Sequence, residues 1–156
     1  MSDTEFMAIK AFEGKAVTVT GAIDAVNDTI EYVPANGKTF YFHSAKIIMT
    51  GHPDLATFTG TQSNSVMDNR IEADLKIDSA VVDTANAGIG GTKSSNNDGS
   101  GIGGFGALQE SHFDVKGRTL EGDGAKKIEI ENVLDSGSAN ATLIGWIEDT
   151  GDSPQI

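Results

Sequence analysis

Strict alternation of apolar and polar residues is the clearest pattern in the chain. Between residues 70 and 82, every second position is apolar or small: Ile71, Ala73, Leu75, Ile77, Ser79 and Val81. The positions between them are mostly charged. A period of two is typical of a β-strand with one face in the core and the other in water. We therefore predict a strand here, with Leu75 buried and Lys76 exposed.

The same alternation recurs along the chain and predicts an all-β fold. Further strands are predicted at 15–24, 28–33, 38–49, 54–60, 107–117, 127–134 and 141–149. About eight short strands, separated by turn residues and with almost no helical periodicity, indicate an antiparallel β-sandwich. Residues 15–149 are expected to form this single domain, followed by a C-terminal tail at 150–156.

Turn residues separate the second and third predicted strands. Pro34 fixes its own φ, and Asn36-Gly37 tolerates positive φ, as tight hairpin turns require. We therefore predict that strands 28–33 and 38–49 pair as a hairpin, with Gly37 at positive φ.

The third predicted strand holds a His, a Ser and a Lys within four positions. Alternation assigns its residues to two faces: Phe40, Phe42, Ser44 and Ile48 on one, and Tyr41, His43, Ala45 and Ile47 on the other. His43 and Ser44 then point apart and do not form a base and a nucleophile. Ser44 and Lys46 share a face, but neither a desolvated Lys nor an oxyanion hole is indicated. We predict no catalytic residue, and a protein that is not an enzyme.

Residues 1–14 are predicted to form an N-terminal arm or a short helix. Ser2-Asp3-Thr4-Glu5 matches a capping box and Gly14 is placed to end a helix, although a strand is the alternative. Apolar residues are unusual in a free arm, so we expect them to make assembly contacts; an arm that folds back over its own sandwich is the alternative. These residues are Phe6, Met7, Ile9 and Phe12.

Residues 86–106 are predicted to form a long glycine-rich loop at one end of the sandwich. Two G-x-G-x-x-G matches occur within 99–106, but the next segment alternates like a strand and does not open a helix, so nucleotide binding is not supported. Ile89, Ile102 and Phe105 are apolar in this otherwise polar segment. We predict that they contact a neighbouring subunit; a mobile loop is the alternative.

Charge and composition exclude several classes of function. The chain has 23 acidic and 11 basic residues, a net charge of −12. Such a surface argues against binding to nucleic acid and to an anionic membrane. There is no Cys, so neither a disulfide framework nor a thiolate metal site forms. No signal peptide or transmembrane segment is apparent, which predicts synthesis in a cytoplasm.

No metal or cofactor is predicted. The three histidines, His43, His52 and His112, lack the spacing of a zinc site. Two groups of loop residues, Asn96-Asn97-Asp98 and Asp149 with Asp152, have the oxygen ligands that Ca²⁺ prefers, without the spacing of an EF-hand. A loop-bound Ca²⁺ is therefore the alternative.

Two segments carry a resemblance to a known family. "YVPANGKTFYFHSAKI" (32–47) and "LEGDGAKKIEIENVLDSGSANATLIGWIED" (120–149) resemble the hairpin and the closing strands of small jelly-roll virion proteins from tailed phages and related viruses. The second has a G-D-G turn, an alternating strand, a Ser/Gly turn and a strand ending in Gly-Trp. The resemblance implies a sandwich of the jelly-roll type in a capsid decoration protein, or in a vertex, turret or tail-adhesion module.

The leading functional hypothesis is a virion structural protein that acts through protein–protein contacts. Its expected partners are copies of itself, with a trimer preferred by analogy, and a major capsid or tail protein. The alternative is a carbohydrate-binding or receptor-binding adhesion module. A hydrolase is the third hypothesis, but no pair of carboxylates is singled out for it.

Overall fold

The structure is a computed structural model that describes residues 2–51, 65–93, 102–108, 110–134 and 137–151. Residues 51, 65–70, 89–93 and 102–108 are described by their backbone alone. The elements of this part are α1 (Asp3–Phe12), β1 (Ala16–Ile23), β2 (Thr29–Tyr32), β3 (Lys38–Gly51), β4 (Ser65–Ile77), β5 (Ala80–Lys93), β6 (Ile102–Leu108), β7 (Glu110–His112), β8 (Thr119–Glu121), β9 (Ile128–Asn132) and β10 (Ser138–Asp149).

The strands form two antiparallel sheets. In sheet A the order is β1-β10-β3, and the far side of β3 pairs with β7 at one end and with β8 at the other. In sheet B the order is β2-β9-β4-β5-β6. Alternate residues of both sheets enter one hydrophobic cluster, with Phe40, Ile47 and Leu143 from sheet A and Leu75 and Ile130 from sheet B. The expectation of an all-β sandwich is confirmed at this level. Leu75 is fully buried as predicted, whereas Lys76, predicted to be exposed, is half-buried and paired with Glu131.

The predicted hairpin between the second and third strands is wrong. Strand β2 pairs with β9 in sheet B, whereas β3 lies in sheet A. The turn itself is present, because Gly37 has a φ of +82° and the Lys38 N–H donates to the Ala35 carbonyl at 3.1 Å. Residues 33–37 therefore carry the chain from one sheet to the other. Turn residues specify a change of direction, but they do not specify which strand becomes the neighbour.

The predicted strand at 70–82 is two strands of a hairpin. Strands β4 and β5 pair antiparallel around Asp78 and Ser79, which both have positive φ, 51° and 67°. Two positive φ values in a two-residue loop are typical of a type I′ turn, which usually contains Gly. Ser at the second position concealed this turn, and Val81 beyond it is 53% exposed.

A β-bulge in β3 reverses the predicted faces after Phe42. Gly145 of β10 lies opposite Phe42 and Ile144 lies opposite Ser44, so His43 is an extra residue between them. The inward positions therefore change from even to odd numbers along the strand. Beyond the bulge, Ile47 is buried and Ile48 is 37% exposed, the reverse of the predicted grouping with Phe40.

Strands occupy much of the segment predicted as a glycine-rich loop. Residues 86–93 continue β5, because the long strand β4 pairs with β5 along this segment. Residues 102–106 belong to β6, which pairs with β5 in turn. The predicted strand at 107–117 is divided among the end of β6, β7 and a connection to β8. The predicted strand at 54–60 lies outside the described residues.

Candidate functional site

Helix α1 begins and ends where the sequence indicates. The Ser2 hydroxyl accepts from the Glu5 N–H at 3.2 Å, and the Glu5 carboxylate accepts from the Ser2 N–H at 2.8 Å, which completes the capping box. The hydrogen bond from the Ser2 backbone lowers the pKa of Glu5. At the other end, Gly14 has a φ of +72° and the Lys15 N–H donates to the Lys10 carbonyl at 2.8 Å. The structure contains the helix and not the alternative strand.

Aromatic contacts hold α1 on the outer face of sheet A. The Phe6 ring meets Trp146 of β10 edge to face, with centroids 4.7 Å apart and planes at 71°. Trp146 in turn stacks on Tyr41 of β3, at 5.4 Å and 12°. The buried Nε1 atom of Trp146 has no hydrogen-bond partner among the described residues. The helix therefore packs on Trp146, at one side of this aromatic cluster.

A buried ion pair lies beside the aromatic cluster. Lys10 of α1 and Glu148 of β10 are 1% and 4% exposed, and their side chains form a hydrogen-bonded salt bridge. Lys15 Nζ lies 2.8 Å from the other carboxylate oxygen of Glu148, and Glu13 lies 3.5 Å from Lys10 Nζ. Burial raises the pKa of Glu148, but the hydrogen bonds from the two lysines outweigh it, so the net pKa is lowered. The same contact with Glu148 raises the pKa of Lys15.

This arrangement is suited to packing and not to proton transfer. Both carboxylate oxygens of Glu148 accept from lysines, so neither is free to take a proton from a substrate. The ring of Trp146 is in contact with Phe6 of the helix. The aromatic cluster and the ion pair together attach the N-terminal helix to its own sheet.

The predicted contact residues of the arm divide into two groups. Phe6, Met7 and Ile9 are half-buried, whereas Phe12 is 94% exposed. At 3.6 residues per turn, Phe12 lies roughly 120° around the helix from Phe6 and so faces away from the sheet. The other predicted contacts, Ile89, Ile102 and Phe105, fall in β5 and β6, and their side chains lie outside the described part.

The His-Ser-Lys group of β3 is not assembled into a reactive site. No side-chain hydrogen bond joins His43, Ser44 and Lys46 to one another in the described part of the structure. Lys46 Nζ instead lies 3.1 Å from Glu110 of β7, and this contact lowers the pKa of Glu110. The His112 ring also contacts Glu110, at 3.0 Å. The first contact joins β3 to β7 and the second lies within β7, at the edge of sheet A.

The described residues contain no group of three or more His, Asp or Glu side chains placed to hold a metal ion. Asp149, one of the candidate Ca²⁺ ligands, forms an ion pair with Lys38. Its proposed companion Asp152, the group Asn96-Asn97-Asp98 and His52 lie outside the described residues. In that same part of the chain, no helix has both the length and the apolar composition needed to cross a membrane.

Sequence reasoning missed Lys10 and Glu148. Lys10 follows Phe6 by four residues, so it lies on the helix face that packs against the sheet. A lysine on a packing face requires a carboxylate partner, which was a usable signal. The chain has 23 acidic residues, however, and no local pattern identifies Glu148, 138 positions away, as the partner.

No protein-family model matches the chain, and no curated protein matches it. The resemblance of 32–47 and 120–149 to virion jelly rolls therefore stays a prediction. It rests on those residues alone.

Proposed function

We propose that this protein is a non-enzymatic virion structural protein of the jelly-roll type, which acts through protein–protein contacts. In this proposal it is a capsid decoration protein, a vertex or turret protein, or a minor capsid component. Its partners are copies of itself and a major capsid or tail protein. It is made in the host cytoplasm and functions in the particle.

The strand pairing is the observation that carries the proposal. In a jelly roll, an antiparallel ribbon of eight strands is rolled up, so that the first strand pairs with the last, the second with the seventh, the third with the sixth and the fourth with the fifth. The pairs β1–β10, β2–β9 and β4–β5 follow this nesting, and β3 pairs with β7 and β8 in place of a single sixth strand. Strand β6 is an addition beside β5.

Jelly rolls occur in viral capsids, in lectins and in cupins, and two observations favour the first. Phe6 of helix α1 packs on Trp146 of the Tyr41–Trp146 stack, which leaves less of this aromatic surface open to a sugar. The net charge of −12 would keep the protein off packaged nucleic acid while leaving it free to bind other proteins.

The proposal is tested by analysing particles from a culture of the source organism. Particles are separated on a density gradient, washed at high salt and treated with nuclease, and the chain is quantified by mass spectrometry. We expect its peptides to follow the major shell protein at a constant ratio across the particle peak. Absence from washed particles, with abundant chain in the particle-free lysate, would overturn the proposal.

Two assays on the purified chain separate the alternatives. Specific binding on a glycan array, without association with particles, would replace this proposal with the adhesion module. Turnover of a glycoside substrate that a single carboxylate substitution abolishes would replace it with a hydrolase.

A further inference from the structure

Strand β1 is an edge of sheet A with its outer hydrogen-bonding groups unpaired in the described structure. Its register with β10 places Lys15 opposite Ile147, and the Ile147 N–H donates to the Lys15 carbonyl at 3.0 Å. In an antiparallel ladder alternate residues bond to the same neighbour, so the odd-numbered residues of β1 bond to β10. The even-numbered residues direct their N–H and C=O groups away from the sheet: Ala16, Thr18, Thr20 and Ala22.

This edge lacks the usual protection against pairing with another strand. Natural edge strands are short, or carry charges, Pro or bulges. Strand β1 has eight residues, AVTVTGAI, without a charge, a proline or a register shift, and its four outward-bonding residues are all exposed. By contrast, β2, β7 and β8 have three or four residues and each contains Glu. The edge strand β6 of sheet B is also uncharged, but its pairing with β5 contains a register shift.

We propose that β1 pairs antiparallel with β1 of a second copy of this chain, around a two-fold axis at Val19. The sequence of β1 is nearly the same in both directions from this residue. The axis places Thr18 opposite Thr20 of the second copy and Ala16 opposite Ala22 of the second copy. These are the residues with free N–H and C=O groups, so the pairs exchange hydrogen bonds. Thr–Thr pairs also stabilise neighbouring strands.

Side chains at and around β1 fit the same pairing. Val17 and Val19 pack at the margin of the core and are only half-buried. The two-fold axis sets Val19 beside Val19 of the second copy in a non-hydrogen-bonded pair, where side chains are closest. Phe12 and Val26, 94% and 37% exposed, precede and follow β1 in the chain. Antiparallel pairing brings Phe12 of one copy to the end where Val26 of the other lies.

The near-symmetry of β1 and its lack of charged residues favour a second copy as the occupant, although net charge opposes it. Two molecules that each carry a charge of −12 repel, unless they meet where acidic residues are absent. Strand β1 is such a place, and its near-symmetry makes it complementary to itself. Because salt screens the remaining repulsion, dimerisation strengthens as ionic strength rises. This inference does not depend on the proposed location in a virion, because it is tested on the purified chain alone.

The first test measures mass against concentration by sedimentation equilibrium, at low and high salt. We expect a reversible dimer that tightens with salt. Thr18→Lys places a charge at the pairing edge and should weaken the dimer at least tenfold. The matched control is Asn140→Lys, at an exposed position of β10 opposite Ala22, which should leave the dimer unchanged. A chain that stays monomeric at all concentrations, or a trimer that is insensitive to Thr18→Lys, overturns the proposal.

The second test fixes the register by cross-linking. The chain has no Cys, so Val19→Cys introduces a single thiol. At the two-fold axis, the Cα atoms of residue 19 in the two copies would lie about 4.5 Å apart, within the range of a disulfide. Val19→Cys should form a disulfide dimer on mild oxidation. Val17→Cys, opposite Gly21 of the second copy, should not. Equal cross-linking of the two variants, each shown to be folded by its Trp146 fluorescence, overturns the two-fold register.

Discussion

One part of sheet A is covered by helix α1, whereas its edge strand β1 is open. At its covered end, Trp146 packs against Phe6 of helix α1, and the buried ion pair of Lys10 with Glu148 joins the helix to the sheet. Along its open edge, β1 presents exposed Ala and Thr residues without any charge. A buried ion pair is strongly selective for its partner, because an unmatched charge in the same place is very costly. The chain therefore closes one part of the sheet with its own N-terminal helix and leaves the other suited to a second molecule.

The largest expected effect comes from breaking the ion pair at the covered end. Glu148→Ala leaves Lys10 buried without its main acceptor, and we expect a loss of about 3–5 kcal/mol in the free energy of unfolding, measured with denaturant. The control is Glu31→Ala, which removes the exposed partner of Lys127, at 3.3 Å, and should change stability much less. Equal effects of the two variants would show that the ion pair does not hold the helix.

Alanine substitutions at two glycines test whether the interior of sheet A is more tightly packed than its edge. A Cβ added to Gly145 would overlap the Tyr41 carbonyl oxygen and the Phe40 ring, whereas one added to Gly21 of β1 would meet only the Ile30 side chain, at 2.9 Å. We expect Gly145→Ala to cost about 1–3 kcal/mol, as overpacking does, and Gly21→Ala to cost less. Thermal unfolding of both variants measures the difference. If Gly21→Ala were the more damaging change, the open edge would be as tightly constrained as the interior.

Alanine substitutions at two phenylalanines test how much each face of helix α1 contributes to stability. Phe6→Ala removes the edge-to-face contact with Trp146 and should destabilise the protein by about 1–2 kcal/mol, because the ring is half-buried. Phe12→Ala should change the monomer by less than about 0.5 kcal/mol, because its ring is exposed. It should nevertheless weaken self-association. Trp146 is the only Trp, so its emission reports whether the helix still covers it. An unchanged emission in Phe6→Ala would contradict the packing described here.

The smallest expected effect is on the way the stability of the protein depends on pH, through the ionisation of Glu148. The pKa of Glu148 is lowered from 4.5 in the folded protein, so its ionisation stabilises the fold above that pH. This contribution is lost as the pH falls through the folded pKa. Stability measured against pH should therefore decline more below pH 4.5 in the natural protein than in Glu148→Gln, which has no titrating group there.

The natural protein and Glu148→Gln share their other carboxyl groups. The pKa values of Glu5, Glu110, Asp123 and Asp149 are also lowered, so their titration contributes to both curves and leaves the difference to Glu148. Parallel curves for the two proteins would mean that Glu148 contributes nothing to the acid sensitivity.

Local physical chemistry determined what the sequence predicted correctly. The capping box at Ser2 and Glu5 and the glycine at position 14 set the ends of α1, because these groups satisfy the free backbone atoms of the helix itself. Alternation identified Leu75 as buried, and the steric freedom of glycine identified Gly37 as a position of positive φ. Each conclusion depends on residues within a few positions of one another.

Only the tertiary structure decided how these pieces pair. One extra residue at His43 changed which side chains of β3 enter the core, since a shift of one residue exchanges the two faces of a strand. Pairing of β2 with β9, and of Lys10 with Glu148, joins segments about a hundred or more positions apart. Such contacts depend on the simultaneous packing of both sheets, so no local pattern encodes them. No local pattern encodes the open edge of β1 either, because a strand becomes an edge only through the order of the whole sheet.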